Sequence, residues 1–380
     1  MAMIPSNVHL RENALQEVGR ILRRERCRRP FFVVDQVAYS ASGGCDVLEP
    51  LLQDLCVSRF TDFELNPKLA DVQRGIAQYN DHAADFVIAL GGGTAMDLGK
   101  LIGALARQPN PAREIVTGKA PLLPTENRLL AIPTTAGTGS EATHFAVVYV
   151  DHQKFSLADE SLLPNEAIID PTLTHSLPPP ITAATGLDAF CQAIESIWAA
   201  GASEDSVRDA TESLRHSLAH LVNGVRSPTP ESRLAMCRAS YLAGRAINVS
   251  KTTAPHALSY ALTSDYGIPH GFAVAMTLGP MLLFNSQVSE SDCADPRGVQ
   301  HVRKRIDLIV ELLGAHDVEH AREIIARILA EIGCPANLSA AGINDIAKIQ
   351  RLVGSVNAQR MSNNPRTASP DSLVELLCGS

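Results

Sequence analysis

The apolar residues of this chain fall into two patterns, and one gives way to the other near residue 170. In the first part, short continuous apolar runs alternate with segments of helical periodicity. The runs are Phe31-Phe-Val-Val-Asp35, Asp85-Phe-Val-Ile-Ala-Leu90 and Leu129-Leu-Ala-Ile-Pro133. Runs without polar alternation suit parallel strands buried on both faces. Between them, residues 69–79 and 95–105 carry apolar side chains at helical spacing. Alternation of strand and helix predicts an α/β domain with a mostly parallel sheet. Residues 145–150 and 166–170 read as hairpin-like or edge strands.

The second pattern begins after Leu177-Pro-Pro-Pro180, a rigid joint. Long amphipathic segments follow, at 183–200, 204–223, 230–248 and 307–332, and strand patterns disappear. The apolar stretch 271–284 reads as a buried core helix, because it is too short for a membrane span. The expected organisation is an α/β domain over residues 1–175 and an all-α domain over 176–380. The cleft between two such domains is the default place for a site.

Composition narrows the function classes. The 380 residues are 45% hydrophobic and 19% charged, which is the profile of a globular chain. A net charge of −8 argues against a general nucleic-acid or anionic-membrane surface. The eight cysteines form no CxxC pair, so they read as reduced thiols of a cytoplasmic protein. The first ten residues lack the apolar core of a signal peptide.

Five segments carry candidate chemistry. Gly91-Gly-Gly-Thr-Ala-Met-Asp97-Leu-Gly-Lys100 follows a predicted strand. Its glycines permit close backbone approach, and the helix behind them offers free N–H groups to a pyrophosphate. A plain tight turn explains the glycines equally well. Pro133-Thr-Thr-Ala-Gly-Thr-Gly-Ser-Glu-Ala-Thr143 follows another strand and is dense in hydroxyls. It is either a second ligand loop or an ordinary polar turn. Asp35 ends the first predicted strand, where a carboxylate accepts from ribose hydroxyls and repels a 2′-phosphate, favouring NAD over NADP. A turn aspartate is the alternative.

Thr185-Gly-Leu-Asp188-Ala-Phe-Cys-Gln192 places Asp188 and Gln192 on one helix face amid apolar neighbours. Such an acid needs a cation or serves as a helix-start aspartate. Finally, His256 and His270 each follow a proline and are expected to open two successive helices. Two imidazoles and a carboxylate suit Fe(II) or Zn(II), although core histidines are common.

Together these segments resemble the iron-containing (group III) alcohol dehydrogenase family, in the family's order and over nearly the whole chain. The resemblance implies a nicotinamide-dependent enzyme with a dinucleotide-binding α/β domain and a helical domain. It implies cofactor contacts from Asp35, Gly92, Gly93, Thr94, Asp97, Thr134, Thr135, Ser140 and Lys154. It places a divalent metal, Fe or Zn, at Asp188, Gln192, His256 and His270, with Asp188, His256 and His270 as the catalytic set. One position departs from the family pattern: Gln192 stands where relatives have histidine. Three readings follow: a weak fourth ligand, a different or loosely held metal, or no metal with a histidine as proton donor.

A narrower resemblance, to the family's phosphonoacetaldehyde reductase branch, rests on three segments. They are Asn248-Val-Ser-Lys251-Thr-Thr-Ala-Pro-His256, Cys191-Gln192-Ala-Ile-Glu195-Ser and Arg360-Met-Ser-Asn-Asn-Pro365. It implies reduction of phosphonoacetaldehyde to 2-hydroxyethylphosphonate, with Lys251, Thr252, Thr253 and Arg360 on the anion. The wider family resemblance also implies a homo-oligomer, dimer or larger. The competing expectations are a glycerol or general short-chain alcohol dehydrogenase, a sugar-phosphate cyclase relative, and a catalytically silent cofactor-binding homologue.

Overall fold

A computed structural model describes residues 7–151, 153–356 and 361–378. The chain divides into two compact units, the first ending at Leu177 and the second starting at Pro178.

The first unit is built on six parallel strands. In chain order they are β1 (Asn7–Leu10), β2 (Pro30–Val34), β3 (Ser58–Phe60), β4 (Phe86–Gly91), β5 (Leu129–Pro133) and β8 (Glu166–Ile169). They lie side by side as β1-β8-β5-β4-β2-β3. Every residue of β2, β4 and β5 is buried. Because successive side chains face opposite ways, each strand feeds two cores. Phe31, Val33, Val87, Ala89, Leu129 and Ala131 pack with α4 (Leu69–Asp81) and α5 (Gly93–Leu105). Phe32, Val34, Ile88, Leu90, Leu130 and Ile132 pack with α1 (Val18–Arg24) and α3 (Gly44–Leu52). The short helices α2 (Gln36–Ala41) and α6 (Ala112–Val116) complete the unit.

The strand order reverses between β2 and β4: the chain leaves β2 for β3 on one side, then continues from β4 to β5 on the other. In open α/β sheets such a switch point is where strand-end loops make room for a ligand. The loops at Asp35 and Gly91–Gly93 flank it.

One expectation about the strands needs correction. Residues 166–169 form an interior strand, β8, hydrogen-bonded between β1 and β5, not an edge or hairpin strand. Its leading acid hid this. Glu166 is buried because Asn7 (2.7 Å) and Arg24 (2.5 Å) donate to it. The hairpin expectation fits β6 (Phe145–Val150), which pairs antiparallel with β7 (Gln153–Ala158) in a separate sheet.

Among its described residues the second unit is built of helices, with one isolated antiparallel bridge between Cys293 and Arg366. Its core helix is α7 (Pro179–Trp198), opened by the proline joint. Around it lie α8 (Glu204–Arg226), α9 (Pro230–Ser250), α10 (Ala254–Tyr266) and α11 (His270–Ser286). Further along come α12 (Val299–Leu312), α13 (Val318–Glu331), α14 (Ile346–Gly354) and α15 (Pro370–Cys378). Fifteen of the twenty residues of α7 are buried, so it is a core rod and not a surface helix. Residues 307–332, expected as one helix, are parts of two. Gly314 adopts φ 68° after α12, and Asp317 caps α13 by accepting from His320 N at 2.8 Å. Among the described residues no helix is long and apolar enough to cross a membrane.

Candidate functional site

In the first unit, the two glycine-rich loops meet. Gly91 ends β4 at φ 148°, a conformation that L side chains rarely adopt, and a Cβ there would lie 2.9 Å from that of Asp35. Gly92 caps α5, whose first turn contains Gly93 and Thr94. Thr134 N donates to Gly91 O at 2.9 Å, so the second loop starts beside the first. Thr135 lies beside Gly92, and Thr138 beside Gly93. Asp35 stands where expected, at the end of β2, and its Oδ1 accepts from Ala38 N at 3.0 Å.

A buried polar network lies behind these loops. Lys100 is wholly buried, and its Nζ donates to Ser140 Oγ, Thr143 Oγ1 and Phe145 O, each at 2.9 Å. Asp97 accepts from Ser140 Oγ at 2.7 Å and from Val147 N at 2.9 Å. The carboxylate of Asp97 and the hydroxyl of Ser140 are thus spent on bracing the second loop against α5 and β6. Burial raises Asp97 above the usual aspartate range, opposed by the charges of Lys100 and Lys154 among other contacts.

Burial also holds Lys100 down to about 8 and lifts Glu141 to about 7. The signs give a testable stability profile. Glu141 ionises near 4.5 ordinarily, so it favours the fold fully below that pH and loses this as pH rises through 7. Lys100 ordinarily titrates near 10.5, so its contribution is complete above that pH and is lost as pH falls through 8. Their joint contribution is least between pH 7 and 8. Urea midpoints measured across pH should show the fall from 4.5 to 7 flattened in Glu141→Gln.

In the second unit, three side chains from three helices converge. Asp188 comes from the middle of α7, not from a helix start. His256 lies in the first turn of α10, and His270 opens α11, as their prolines suggested. His256 Nε2 is 3.2 Å from Asp188 Oδ1, and His270 Nε2 is 3.9 Å from the same oxygen. One ligand atom from each residue lies within 4.8 Å of the others. The two imidazoles meet edge to face at 5.4 Å, and Tyr260 stacks on His270.

Gly271 makes the convergence possible. A Cβ there would sit 1.8 Å from Ala184 O and 3.0 Å from Asp188 N, so α11 touches the backbone of α7. Asp188 and His256 are almost fully buried, whereas His270 is partly open. Burial alone would raise the Asp188 carboxyl, but hydrogen bonds from His256 and Gln192 and the His270 charge pull it below the usual range. His256 is opposed by burial, yet the Glu195 charge and hydrogen bonds to Asp188 and Glu195 hold it up at about 9. Gln192 is buried beside Asp188 and acts on it as a hydrogen-bond donor.

Two imidazoles and one carboxylate with further positions open are a donor set for Fe(II) or Zn(II). Separations of 3.2 and 3.9 Å suit ligand atoms each about 2.1 Å from a shared ion. The residues present therefore fit a metal.

Before His256 runs the turn between α9 and α10. Lys251 is exposed and adopts φ 62°, ψ 177°, a region used almost only by glycine. Asn363 holds it there, its Nδ2 donating to Ser250 O at 2.8 Å and Thr252 O at 2.9 Å. Thr252 is partly exposed, but Thr253 is buried, and its hydroxyl lies between Trp198 Nε1 and Glu195 Oε1. Of the four expected anion contacts, Thr253 is thus committed to fixing the turn. Arg360 lies outside the described residues.

Sequence reasoning assigned no role to Glu195, Asn363 or Lys100. For Glu195 a signal existed: it is seven residues from Asp188 and therefore on the same helix stripe.

The comparisons with known proteins agree over both units. The family model "Iron-containing alcohol dehydrogenase" matches residues 5–171, and "Fe-containing alcohol dehydrogenase family, C-terminal" matches residues 182–379. The phosphonoacetaldehyde reductase of Streptomyces viridochromogenes is 35% identical over 304 residues, 77% of this chain and 75% of that one. Long-chain-alcohol dehydrogenase 1 of Geobacillus thermodenitrificans is 30% identical, over 91% of this chain and 87% of its own. Among solved structures, the sulfoacetaldehyde reductase of Bifidobacterium kashiwanohense in complex with NAD+ superposes with a TM-score of 0.88. It is 29% identical and covers 100% of this chain and 99% of its own. This chain belongs to the iron-containing alcohol dehydrogenase family and is an enzyme of alcohol and aldehyde interconversion.

Proposed function

We propose that this protein reduces a small anionic aldehyde with a nicotinamide cofactor, NADH in preference to NADPH, and that phosphonoacetaldehyde is its substrate. The observation that carries the reading is the backbone of Lys251. A non-glycine residue in that region costs about 1–3 kcal/mol, persists only where its surroundings hold it, and such positions cluster at active sites and ligand clamps. Here the position carries an exposed lysine, whose Nζ donates to Asn248 O at 3.3 Å, five residues before His256 on a turn clamped by Asn363. A phosphonate dianion calls for such a cation, with Thr252 as a neighbouring hydroxyl donor. Two of the relatives named above reduce aldehydes that carry a phosphonate or a sulfonate, as their names state. The preference for NADH rests on Asp35 at the end of β2.

In this reading the loops at Gly92–Thr94 and Thr134–Ser140 receive the cofactor, and Lys154 contributes to the same region. Asp188, His256 and His270 would hold the metal, with Gln192 supporting Asp188. The metal, when bound, supplies Lewis acidity toward a carbonyl oxygen. The chain's residues fix the ligand directions, supply a cation for the substrate's anion and keep Asp188 and His256 away from solvent.

The test is NADH and NADPH oxidation over an aldehyde panel containing phosphonoacetaldehyde and neutral aldehydes of equal length. Lys251→Ala should lower kcat/KM for the anionic aldehyde by about 10- to 100-fold, the worth of a charge-assisted contact. The neutral aldehydes should lose far less. Lys251→Gly should show the same selective loss while gaining about 1 kcal/mol of stability from relieved strain. Equal losses on charged and neutral substrates would defeat the anionic assignment.

A further inference from the structure

We infer that Glu195 is a positioning residue that sets, through one carboxylate, both the metal-binding face of His256 and the turn bearing Lys251. The inference rests on the reading of Asp188, His256 and His270 as a metal site. Glu195 is wholly buried on α7, seven residues beyond Asp188. Its Oε1 accepts from Thr253 N and Thr253 Oγ1, each at 2.9 Å, and from His256 N at 3.4 Å. Its Oε2 is paired with His256 Nδ1. No side chain other than a carboxylate offers acceptors, and only acceptors, at both ends.

The division between the two oxygens has a consequence for the imidazole. With Oε2 accepting at Nδ1, the Nδ1 position keeps its proton and Nε2 is the nitrogen left to bind a metal. Nε2 is the atom that faces Asp188. The same carboxylate closes the turn through Thr253, whose hydroxyl also accepts from Trp198 Nε1 at 2.8 Å. Ser250 Oγ donates to Ser196 Oγ at 2.9 Å beside it. Lys251 therefore stands between two anchors on α7, at Ser196 and Glu195, with Asn363 on its outer side. Metal direction and anion position share one structural origin.

Glu195→Gln separates this role from mere space filling. The amide keeps the shape but presents one acceptor and one donor. If its oxygen stays with the three donors at Thr253 and His256 N, its NH2 faces Nδ1. The imidazole proton then moves to Nε2 and blocks the metal. If the amide flips, its NH2 opposes two backbone N–H groups and the Thr253 hydroxyl, and the turn opens. No orientation satisfies both ends.

The experiment is Zn2+ binding to metal-free, full-length protein by chelator competition, alongside steady-state kinetics on the reloaded enzyme. Glu195→Gln should weaken Zn2+ binding by about 10- to 100-fold, the usual loss when a ligand's hydrogen-bond partner is changed. It should also raise KM for phosphonoacetaldehyde more than for a neutral aldehyde. Zn2+ affinity within twofold of the parent, in a folded variant, overturns the inference. A parent protein that binds no Zn2+ or Fe2+ overturns the metal-site reading itself, a distinguishable result. If the variant does not fold, 15N correlation spectra of the Zn2+-loaded parent decide the matter. They should show His256 protonated at Nδ1, and a proton at Nε2 would refute the assignment.

Discussion

Asp188→Asn is expected to strip the protein of bound metal and to lower kcat/KM for aldehyde reduction by about a thousandfold or more. Polarisation of a carbonyl by a metal is worth several kcal/mol, and each ~1.4 kcal/mol is tenfold in rate. Asp188 is the only carboxylate among the three converging side chains, and both histidine Nε2 atoms face its Oδ1. A carboxamide keeps the volume and can still hydrogen-bond Gln192 and His256, so the helices should stay packed. What it removes is the charge that attracts a divalent cation. Elemental analysis of the purified variant, together with initial rates of NADH oxidation, checks this. A variant that retains full metal and full rate would mean that the site is a buried hydrogen-bond cluster.

Gly271→Ala should be equally damaging by a different route. The added methyl would lie 1.8 Å from Ala184 O and 2.9 Å from Ala184 C, which are backbone atoms in the second turn of α7. No rotamer change relieves that contact, so α11 must withdraw from α7 by more than an ångström. Overpacking of this kind costs about 1–3 kcal/mol and occasionally more, and a clash with backbone belongs at the upper end. The withdrawal also carries His270 away from Asp188, so the surviving folded protein should bind Zn2+ poorly. Thermal unfolding and Zn2+ titration measure the two effects. A stable variant with normal Zn2+ affinity would show that the two helices have slack at this contact.

The sequence disclosed the elements whose burial is simple. β2, β4 and β5 are buried on both faces and read as unbroken apolar runs, and the glycine run marked the end of β4, where Gly91 takes φ 148°. β8 was misplaced because its first residue is a glutamate, whose burial depends on Asn7 and Arg24 more than a hundred residues away. β1 and β3 are too short to show a period. The prolines before His256 and His270 announced the helix starts that bring these side chains together. Lys251 was legible as a charge near a histidine, but its backbone conformation was not, because Asn363 imposes it from a distant segment. Glu195 was in plain view within the motif, yet its partners become visible only when α10 folds onto α7.

Helix α7 bears Asp188, Gln192 and Glu195 on one stripe of a rod buried nearly all round. Their spacing of four and three residues puts each one turn from the next. The acid, the neighbouring amide and the supporting acid are therefore neighbours on one rigid support, and none depends on a loop for its position. Such a scaffold lets an active site evolve by single exchanges. A change of side chain at position 192 therefore falls between two acids whose stations the helix itself fixes. The chemistry of this stripe can in this way be altered one side chain at a time, without rebuilding the architecture that presents it.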